Sequence, residues 1–255
     1  MDEMSLNQRN WESLIALYEY VAASDVKFTK ITEPFTAYLS DYYDWPNFII
    51  IDSIGNDFSE RVEELSDLIP RYKKQPYVLC HPLLARNTGL SEIFENHNIR
   101  QFDQWVNTFY DLKWGLPKDV PIQEYRTEIV TTDEQRKVWA EIGSNVFHHG
   151  RPIPVNSFTG NKFMLLIGYA DEVPVATTMI FFDQEITSTY YVAVLKDYRG
   201  KGYGYQITRA AFTEIKKLGY DINMLQATQA GIKSWLRYGY KATGSIDIFM
   251  RLSAR

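Results

Sequence analysis

The chain has 255 residues, too many for one typical α/β domain and suited to two, and 45% of them are hydrophobic, enough for a sizeable core. Its formal net charge of −5 argues against a general nucleic-acid-binding protein. No segment approaches the ~20 uninterrupted apolar residues of a membrane span, and the acidic start is followed by no apolar signal segment. The single cysteine, Cys80, lies in an apolar run and is expected to be a buried thiol. We therefore expect a cytoplasmic protein with neither a membrane nor a nucleic-acid partner.

The N-terminal half alternates helical and strand patterns. Trp11, Leu14 and Leu17 recur at helical spacing, and Ser59 stands where a helix cap would precede a second apolar stripe. Short apolar runs rich in β-branched and aromatic residues indicate strands. The predicted order is helix 10–23, strand 48–51, a helix after Ser59, strand 77–80, helix 89–97 and strand 102–112.

The C-terminal half begins with a helix signal. Thr131 and Glu134 have the spacing of a capping box, and they precede a helix with Trp139 and Ile142 on its inner face. A tight turn at 170–172 then joins two apolar strands into a hairpin. The predicted order is that helix, strands 162–169 and 173–182, strand 190–194, helix 203–218, strand 222–227, helix 231–238 and strand 246–252.

The two halves share one order: strand, turn, helix, strand, short helix, strand. We interpret this order, over 48–112 and again over 190–252, as a structural repeat with almost no sequence identity. Domains at 1–120 and 121–255 follow, joined by a linker at 115–121. Their charges differ, because residues 1–124 sum to −9 and residues 125–255 to +4. We expect the basic half to hold an anionic ligand.

Three glycines follow the strand 190–194 and open a helix. Gly200, Gly202 and Gly204 allow backbone conformations that side chains forbid. A strand, a glycine-rich loop and a helix N-terminus in this order form an anion site, since unpaired backbone amides and the helix dipole point at the ligand. The spacing fits neither a phosphate-loop NTPase nor a dinucleotide fingerprint. In the first half, Ile54-Gly55-Asn56-Asp57 offers no comparable cradle.

The pattern Val192-Ala193-Val194, four residues, Arg199-x-x-Gly202-x-Gly204 resembles motif A of the GCN5-related N-acetyltransferase (GNAT) family. The resemblance covers roughly 125–255 and implies two acetyltransferase-like mixed-sheet domains of the α/β class, the C-terminal one binding acetyl-CoA and the N-terminal one degenerate. It also implies that the strand backbone pairs with the pantetheine arm, that the loop holds the pyrophosphate, and that Arg199 contacts a phosphate or supports the loop. The implied cofactor-binding residues are Val192, Ala193, Val194, Arg199, Gly200, Lys201, Gly202, Tyr203, Gly204 and Trp235.

The catalytic residues are less clear from the sequence. The family's last short helix often carries a tyrosine four residues before a glycine, as proton donor to the leaving thiolate. Counting back from Gly239, that slot holds Trp235, whose indole N–H is a very poor proton donor. Tyr238 is our replacement candidate, with Ser234 a weaker one, although an aromatic residue there also suits simple packing. The family's general-base slot falls at Ser188, with Glu185 nearby in a turn.

His148 and His149 follow a helix that often borders the acceptor pocket in this family. They are candidates to line that pocket. The alternative is that they lie in an exposed turn with no role in it. With few other histidines and one cysteine in the chain, we expect no metal site.

The leading hypothesis is an acetyl-CoA-dependent N-acetyltransferase acting on a small-molecule, amino-acid or peptide amine. One alternative is an aminoacyl-tRNA-dependent transferase on the same tandem scaffold, and another is a non-catalytic acyl-CoA-binding protein. The sequence leaves open whether the protein is a monomer or a homodimer.

Overall fold

The structure, a computed structural model, describes residues 2–84 and 88–252. The helices are α1 (Glu3–Ala23), α2 (Phe58–Leu68), α3 (Thr88–Asn96), α4 (Asp133–Phe147), α5 (Tyr203–Lys217) and α6 (Ile232–Tyr238). The strands are β1 (Thr29–Ile31), β2 (Thr36–Leu39), β3 (Phe48–Ile51), β4 (Tyr77–Cys80), β5 (Ile99–Asp111), β6 (Tyr125–Ile129), β7 (Phe163–Ala170), β8 (Val173–Asp183), β9 (Ile186–Val194), β10 (Ile222–Ala227) and β11 (Lys241–Arg251). In this described part, no helix combines the length and the apolar character needed to cross a membrane.

The fold is mixed α/β, and its elements follow the predicted repeat. The series β3-α2-β4-α3-β5 in the first half matches β9-α5-β10-α6-β11 in the second. The chain forms two compact units: the first contains Met1–Thr108, Gln226–Lys233 and Ala242–Arg255, and the second contains Phe109–Leu225 and Ser234–Lys241. The predicted division into domains at 120/121 stays a prediction about the two repeats.

In the first unit the strand order is β1-β2-β3-β4-β11-β5. β3 and β4 are parallel, and β11 pairs antiparallel with β4, with Ile248 opposite Leu79. The last strand of the chain therefore lies beside a strand of the first repeat. β3, β4 and β11 contribute to a core with α2 and α3, in which Phe94 packs against Phe249 at 4.8 Å between ring centroids. Cys80 is fully buried there, as predicted, and burial raises the pKa of its thiol.

In the second unit the order is β10-β9-β8-β7-β6. β6 to β9 form an antiparallel meander, and β10 runs parallel to β9. α4 and α5 both pack on β7, β8 and β9. They lie on opposite faces of the sheet, since Trp139 of α4 donates from Nε1 to the carbonyl of Thr178 while α5 buries Ile207 and Phe212 on the other side.

Three predicted helix starts were wrong. α1 begins at Glu3, well before the predicted start at residue 10. α2 begins at Phe58, whose ring is buried, so Ser59 lies inside its first turn and does not cap it. The capping box of α4 uses Thr132 and Gln135, one residue later than predicted. The Thr132 hydroxyl accepts from the Gln135 amide, and Oε1 of Gln135 accepts from the Thr132 amide, so these two residues form the reciprocal box.

Some strands were missed or predicted too short. β1 and β6 are partly buried or exposed along their length, and β2 has only 4 residues, so these strands carry a weak sequence signal. β9 begins at Ile186, and β11 begins at Lys241. The early residues of β11 include Thr243, Gly244 and Ser245, a run that does not indicate a strand in isolation. Pairing within the sheet imposes the extended conformation on them.

Candidate functional site

β9 has a partner on both sides over only part of its length. Its parallel register with β10 runs from Ile186 opposite Ile222 to Ser188 opposite Met224. Beyond Ser188, in the described residues, the register of β9 continues on the β8 side alone, up to Val194. The backbone groups of Val192 to Val194 are therefore open on the β10 side to a ligand that can pair as a strand does, except for the Val194 carbonyl, which accepts from Nε of Arg199.

A buried polar network ties β9 to β10 just before the two strands separate. The amide of Asn223 is fully buried, donating from Nδ2 to the Thr187 hydroxyl at 2.9 Å and accepting at Oδ1 from the Thr189 hydroxyl at 2.9 Å. The Tyr240 hydroxyl donates to the same Oδ1. A buried network of this kind fixes geometry, because each lost partner leaves a desolvated polar atom. Asn223 was not recognised from the sequence, since one polar residue in a strand carries no signal.

The loop after β9 ends in a left-handed glycine at the start of α5. Gly200 has φ 78° and Gly202, the N-cap, has φ 87°, a region that favours glycine. Among the described residues, the backbone amides from Gly200 to Tyr205 donate to no protein acceptor, and the first amide of α5 with a partner is that of Gln206, on Gly202. A row of free amides at a helix N-terminus suits an anion.

The basic residues near this loop have separate roles. Nε of Arg199 donates to the Val194 carbonyl at 3.0 Å, which supports the loop, and Nζ of Lys201 lies 5.2 Å from the Tyr198 ring centre. Arg209 does not join them: its Nε donates to the Pro117 carbonyl at 3.0 Å, and its guanidinium lies 3.5 Å from Asp119. Arg209 therefore binds the 115–121 segment and adds no hydrogen bond to the loop after β9.

A β-bulge interrupts β9 beside this open strand. Thr177 lies opposite Ala193 and Met179 opposite Tyr190, so two residues of β9 face one of β8. Tyr191, one of the two, has φ 51°, which is unusual for a bulky residue. The hydroxyl of Thr177 donates to the Tyr191 carbonyl at 3.1 Å. The bulge could not be predicted from the sequence, because Tyr190 and Tyr191 look like ordinary strand residues.

α6 holds the aromatic residues considered as proton donors. Tyr238 packs among Phe212, Tyr110 and Tyr205, with 4.8 Å between its ring centroid and that of Tyr205. Its buried hydroxyl has no hydrogen-bond partner in the described residues, and burial raises its pKa far above the usual value. Trp235 is half-buried and Ser234 is exposed. Tyr238 thus has the surroundings of a packing residue, and its catalytic role stays a prediction.

The remaining candidates for the general base and the acceptor pocket differ in burial and in their contacts. Glu185 is exposed in the turn before β9, and Ser188 is fully buried within the paired part of that strand. His149 is exposed with φ 52°, whereas Nε2 of His148 lies 3.0 Å from the Tyr191 hydroxyl. Within residues 2–84 and 88–252, no three His, Cys, Asp or Glu residues come together as a metal site.

These features suit a ligand that joins a diphosphate to an extended chain. The free amides from Gly200 to Tyr205 and the helix dipole match a diphosphate. Gly202 is favoured by packing as well as by its φ, since a Cβ there would make a tight contact of 3.2 Å with Cδ1 of Ile122. The open edge of β9 suits an extended amide-containing chain such as pantetheine.

Comparison with known proteins agrees with this description. Residues 126–240 match the sequence model of the acetyltransferase (GNAT) family. Solved structures with the same fold include a GCN5-related N-acetyltransferase from Kribbella flavida, 14% identical, covering 96% of each chain with a TM-score of 0.72. Another is a GCN5-related N-acetyltransferase-like protein from Streptococcus suis, 13% identical, covering 98% of this chain and 99% of that one with a TM-score of 0.60. A tandem GNAT protein from the clavulanic acid biosynthesis pathway is 11% identical, covering 87% of this chain and 79% of its own with a TM-score of 0.59. Curated proteins give no significant sequence match.

The chain has the mixed α/β fold of these GCN5-related N-acetyltransferase structures. Residues 126–240 form a domain of the GNAT family, and the chain shares its fold over most of its length with GNAT proteins, one of them tandem.

Proposed function

We propose that the protein is an N-acetyltransferase that moves an acetyl group from acetyl-CoA directly to a primary amine of a small molecule, an amino acid or a peptide. The observation that carries the proposal is the row of free amides from Gly200 to Tyr205 at the start of α5. It lies directly after the part of β9, Val192 to Val194, whose register continues on the β8 side alone. The two features support a diphosphate and a pantetheine arm in the order in which coenzyme A joins them.

In this proposal the chain binds and orients the thioester, which supplies the activated acetyl group. Val192 to Val194 pair with the arm, and the loop amides take the diphosphate. Arg199 holds the loop through its bond to the Val194 carbonyl. We assign Trp235 a contact with the cofactor on the basis of the family resemblance. Direct transfer requires that both reactants be held close together and that the amine lose a proton.

Thermal unfolding with and without acetyl-CoA tests binding, because a ligand specific to the native state stabilises it. The critical variant is Gly202→Asp, which adds bulk and negative charge to the cradle. Gly219→Asp is a matched control, since Gly219 also has φ 87°, lies beyond the opposite end of α5, and has no neighbouring atom within 4 Å of the place a Cβ would take. We expect only Gly202→Asp to lose the stabilisation by acetyl-CoA. If acetyl-CoA stabilised both variants equally, the loop around Gly202 would not be its binding site.

A non-catalytic acyl-CoA-binding protein is the second candidate. It is favoured by Trp235 at the position of the usual tyrosine and by the packed hydroxyl of Tyr238. Release of free thiol from acetyl-CoA over a panel of amines separates the two candidates. Binding of acetyl-CoA without thiol release above background for any amine would favour the second.

A further inference from the structure

The bulge in β9 turns Tyr191 to the opposite face of the sheet. Thr189 faces α5, because its hydroxyl bonds Asn223 beside Tyr240, whose ring packs on Phe212 of α5. Strict alternation along a strand would place residue 191 on that same face. Instead the Tyr191 ring lies against α4, where its Cδ1 is 3.3 Å from the position that a Cβ on Gly143 would occupy.

The residues after the bulge confirm the reversal. Cγ2 of Val194 lies 3.5 Å from the position of a Cβ on Gly204, at the first turn of α5. Thr189, before the bulge, and Val194, after it, therefore lie on the same face, although strict alternation would place them on opposite faces. A bulge supplies the one extra residue that this reversal requires.

The Tyr191 side chain is held firmly in this position. Its ring lies 5.4 Å from Trp139, 5.5 Å from Phe147 and 6.1 Å from Phe158, measured between ring centroids. Its hydroxyl is 3.0 Å from Nε2 of His148, the C-cap of α4. A left-handed φ at a bulky residue persists only where the surroundings enforce it, and such strain is concentrated at functional sites.

Under the proposed function, Tyr191 and His148 can be located relative to the reacting atoms. The inference rests on that function. The diphosphate binds at Gly200 to Tyr205, after the end of β9, and the arm runs back along Val194 to Val192. The acyl group at the far end of the arm then comes next to Tyr191. Bulges beside active sites commonly re-aim a side chain.

We propose that Tyr191 and His148 carry the proton of the incoming amine. The amine nitrogen forms a bond to the thioester carbonyl carbon, and the carbon–sulfur bond breaks with its electron pair leaving on sulfur. The amine's proton passes to the Tyr191 hydroxyl oxygen as that hydroxyl's own proton moves to Nε2 of His148. The thiolate takes a proton from solvent, and the imidazolium of His148 returns one to solvent.

The surroundings of the pair suit this role better than those of the other candidates. His148 is half-buried and so remains partly accessible to water, and the adjacent Phe147 is 48% exposed. Glu185 is exposed in a turn, and Ser188 lies in the paired ladder. In this scheme Tyr191 is the catalytic residue, since it touches the amine, and His148 is a positioning residue that acts through it.

Steady-state kinetics of Tyr191→Phe and His148→Gln test the proposal. Loss of a positioned acid–base group costs about 10²–10⁴ in rate, so we expect kcat to fall in that range while the KM for acetyl-CoA stays constant. Imidazole added to His148→Ala should restore part of kcat, which a purely structural role would not allow. His97→Gln, in the first unit, is the control for loss of a histidine and should retain kcat. Unchanged kcat in Tyr191→Phe, with folding verified by thermal unfolding, would overturn the proposal.

NMR of ¹⁵N-labelled histidine gives a readout that needs no turnover. The chain has 4 histidines, so the His148 ring signals can be assigned by their loss in His148→Gln. We expect them to shift in Tyr191→Phe and on addition of acetyl-CoA to the wild type, but not on its addition to Gly202→Asp. If acetyl-CoA stabilises the wild type but leaves His148 unmoved, the inference fails and the proposed function stands. If acetyl-CoA does not bind, both fail.

Discussion

The backbone amide of His81 donates to the carbonyl of Ile51 at 2.8 Å, which keeps β3 and β4 paired to their ends. Their parallel register already includes Ile51 opposite Cys80, the last residue of each strand. The corresponding strands of the second repeat, β9 and β10, are paired only as far as Ser188 and Met224. The first repeat therefore has no open strand edge at the equivalent place in its described residues, in addition to lacking the three glycines.

His81 should make the stability of the protein depend on pH. Its Nε2 donates to Gln8 at 2.9 Å, and its Nδ1 accepts from the Leu83 amide at 3.2 Å, so the fold holds the neutral ring. Burial lowers its pKa from 6.5, although Asp52 and Glu12 oppose this. The unfolded chain then binds the proton more readily, so stability is present above pH 6.5 and falls as the pH falls below it.

Urea unfolding of the wild type and of His81→Gln at about pH 7.5 and about pH 5.5 measures this effect. We expect the wild type to lose more stability between the two values than the variant loses. An equal loss in both proteins would show that other groups dominate the acid response.

Arg209 should stabilise the 115–121 segment without contributing to acetyl-CoA binding. Its Nε bond to the Pro117 carbonyl and its proximity to Asp119 are lost in Arg209→Gln. We expect the free energy of unfolding to fall by about 1 kcal/mol and the Kd for acetyl-CoA to stay the same. Calorimetric titration with acetyl-CoA measures this Kd. A marked loss of affinity in Arg209→Gln would contradict the prediction, because it would show that Arg209 contacts the ligand.

Asn223 should be needed for both stability and binding. In Asn223→Leu, the buried hydroxyls of Thr187, Thr189 and Tyr240 each lose a partner, which we expect to cost roughly 2–4 kcal/mol. Tyr240→Phe removes only one member and should cost less. Acetyl-CoA affinity should fall in Asn223→Leu, because the separation of β9 and β10 is no longer fixed. Denaturant unfolding and titration of both variants measure the two effects.

The C-terminal strand should stabilise the first repeat. Phe249 of β11 packs against Phe94 of α3, and Phe249→Ala should cost about 3–5 kcal/mol. Hydrogen exchange should then quicken at β3 and β4.

A fragment of residues 1–120 lacks β11 and should not fold cooperatively. If it did, the 120/121 boundary would be a folding boundary as well as a boundary between repeats.

The sequence alone determined the local features of this protein. β4 and β10 have the predicted limits, the hairpin of β7 and β8 turns at the predicted place, and the order of elements repeats as expected. Periodicity, β-branched runs and glycines act within a few residues, so they can be recognised without knowledge of the fold. The free amides of the loop follow from the same local pattern.

Only the tertiary structure decided which side chains meet. The partners of Arg209 lie about 90 residues earlier in the chain, and Asn223 lies more than 30 residues from Thr187 and Thr189. The bulge that turns Tyr191 toward His148 depends on the register between β8 and β9. The placement of β11 beside β4 likewise depends on pairing between distant segments. Such contacts arise from packing of the whole chain, and no short window of sequence encodes them.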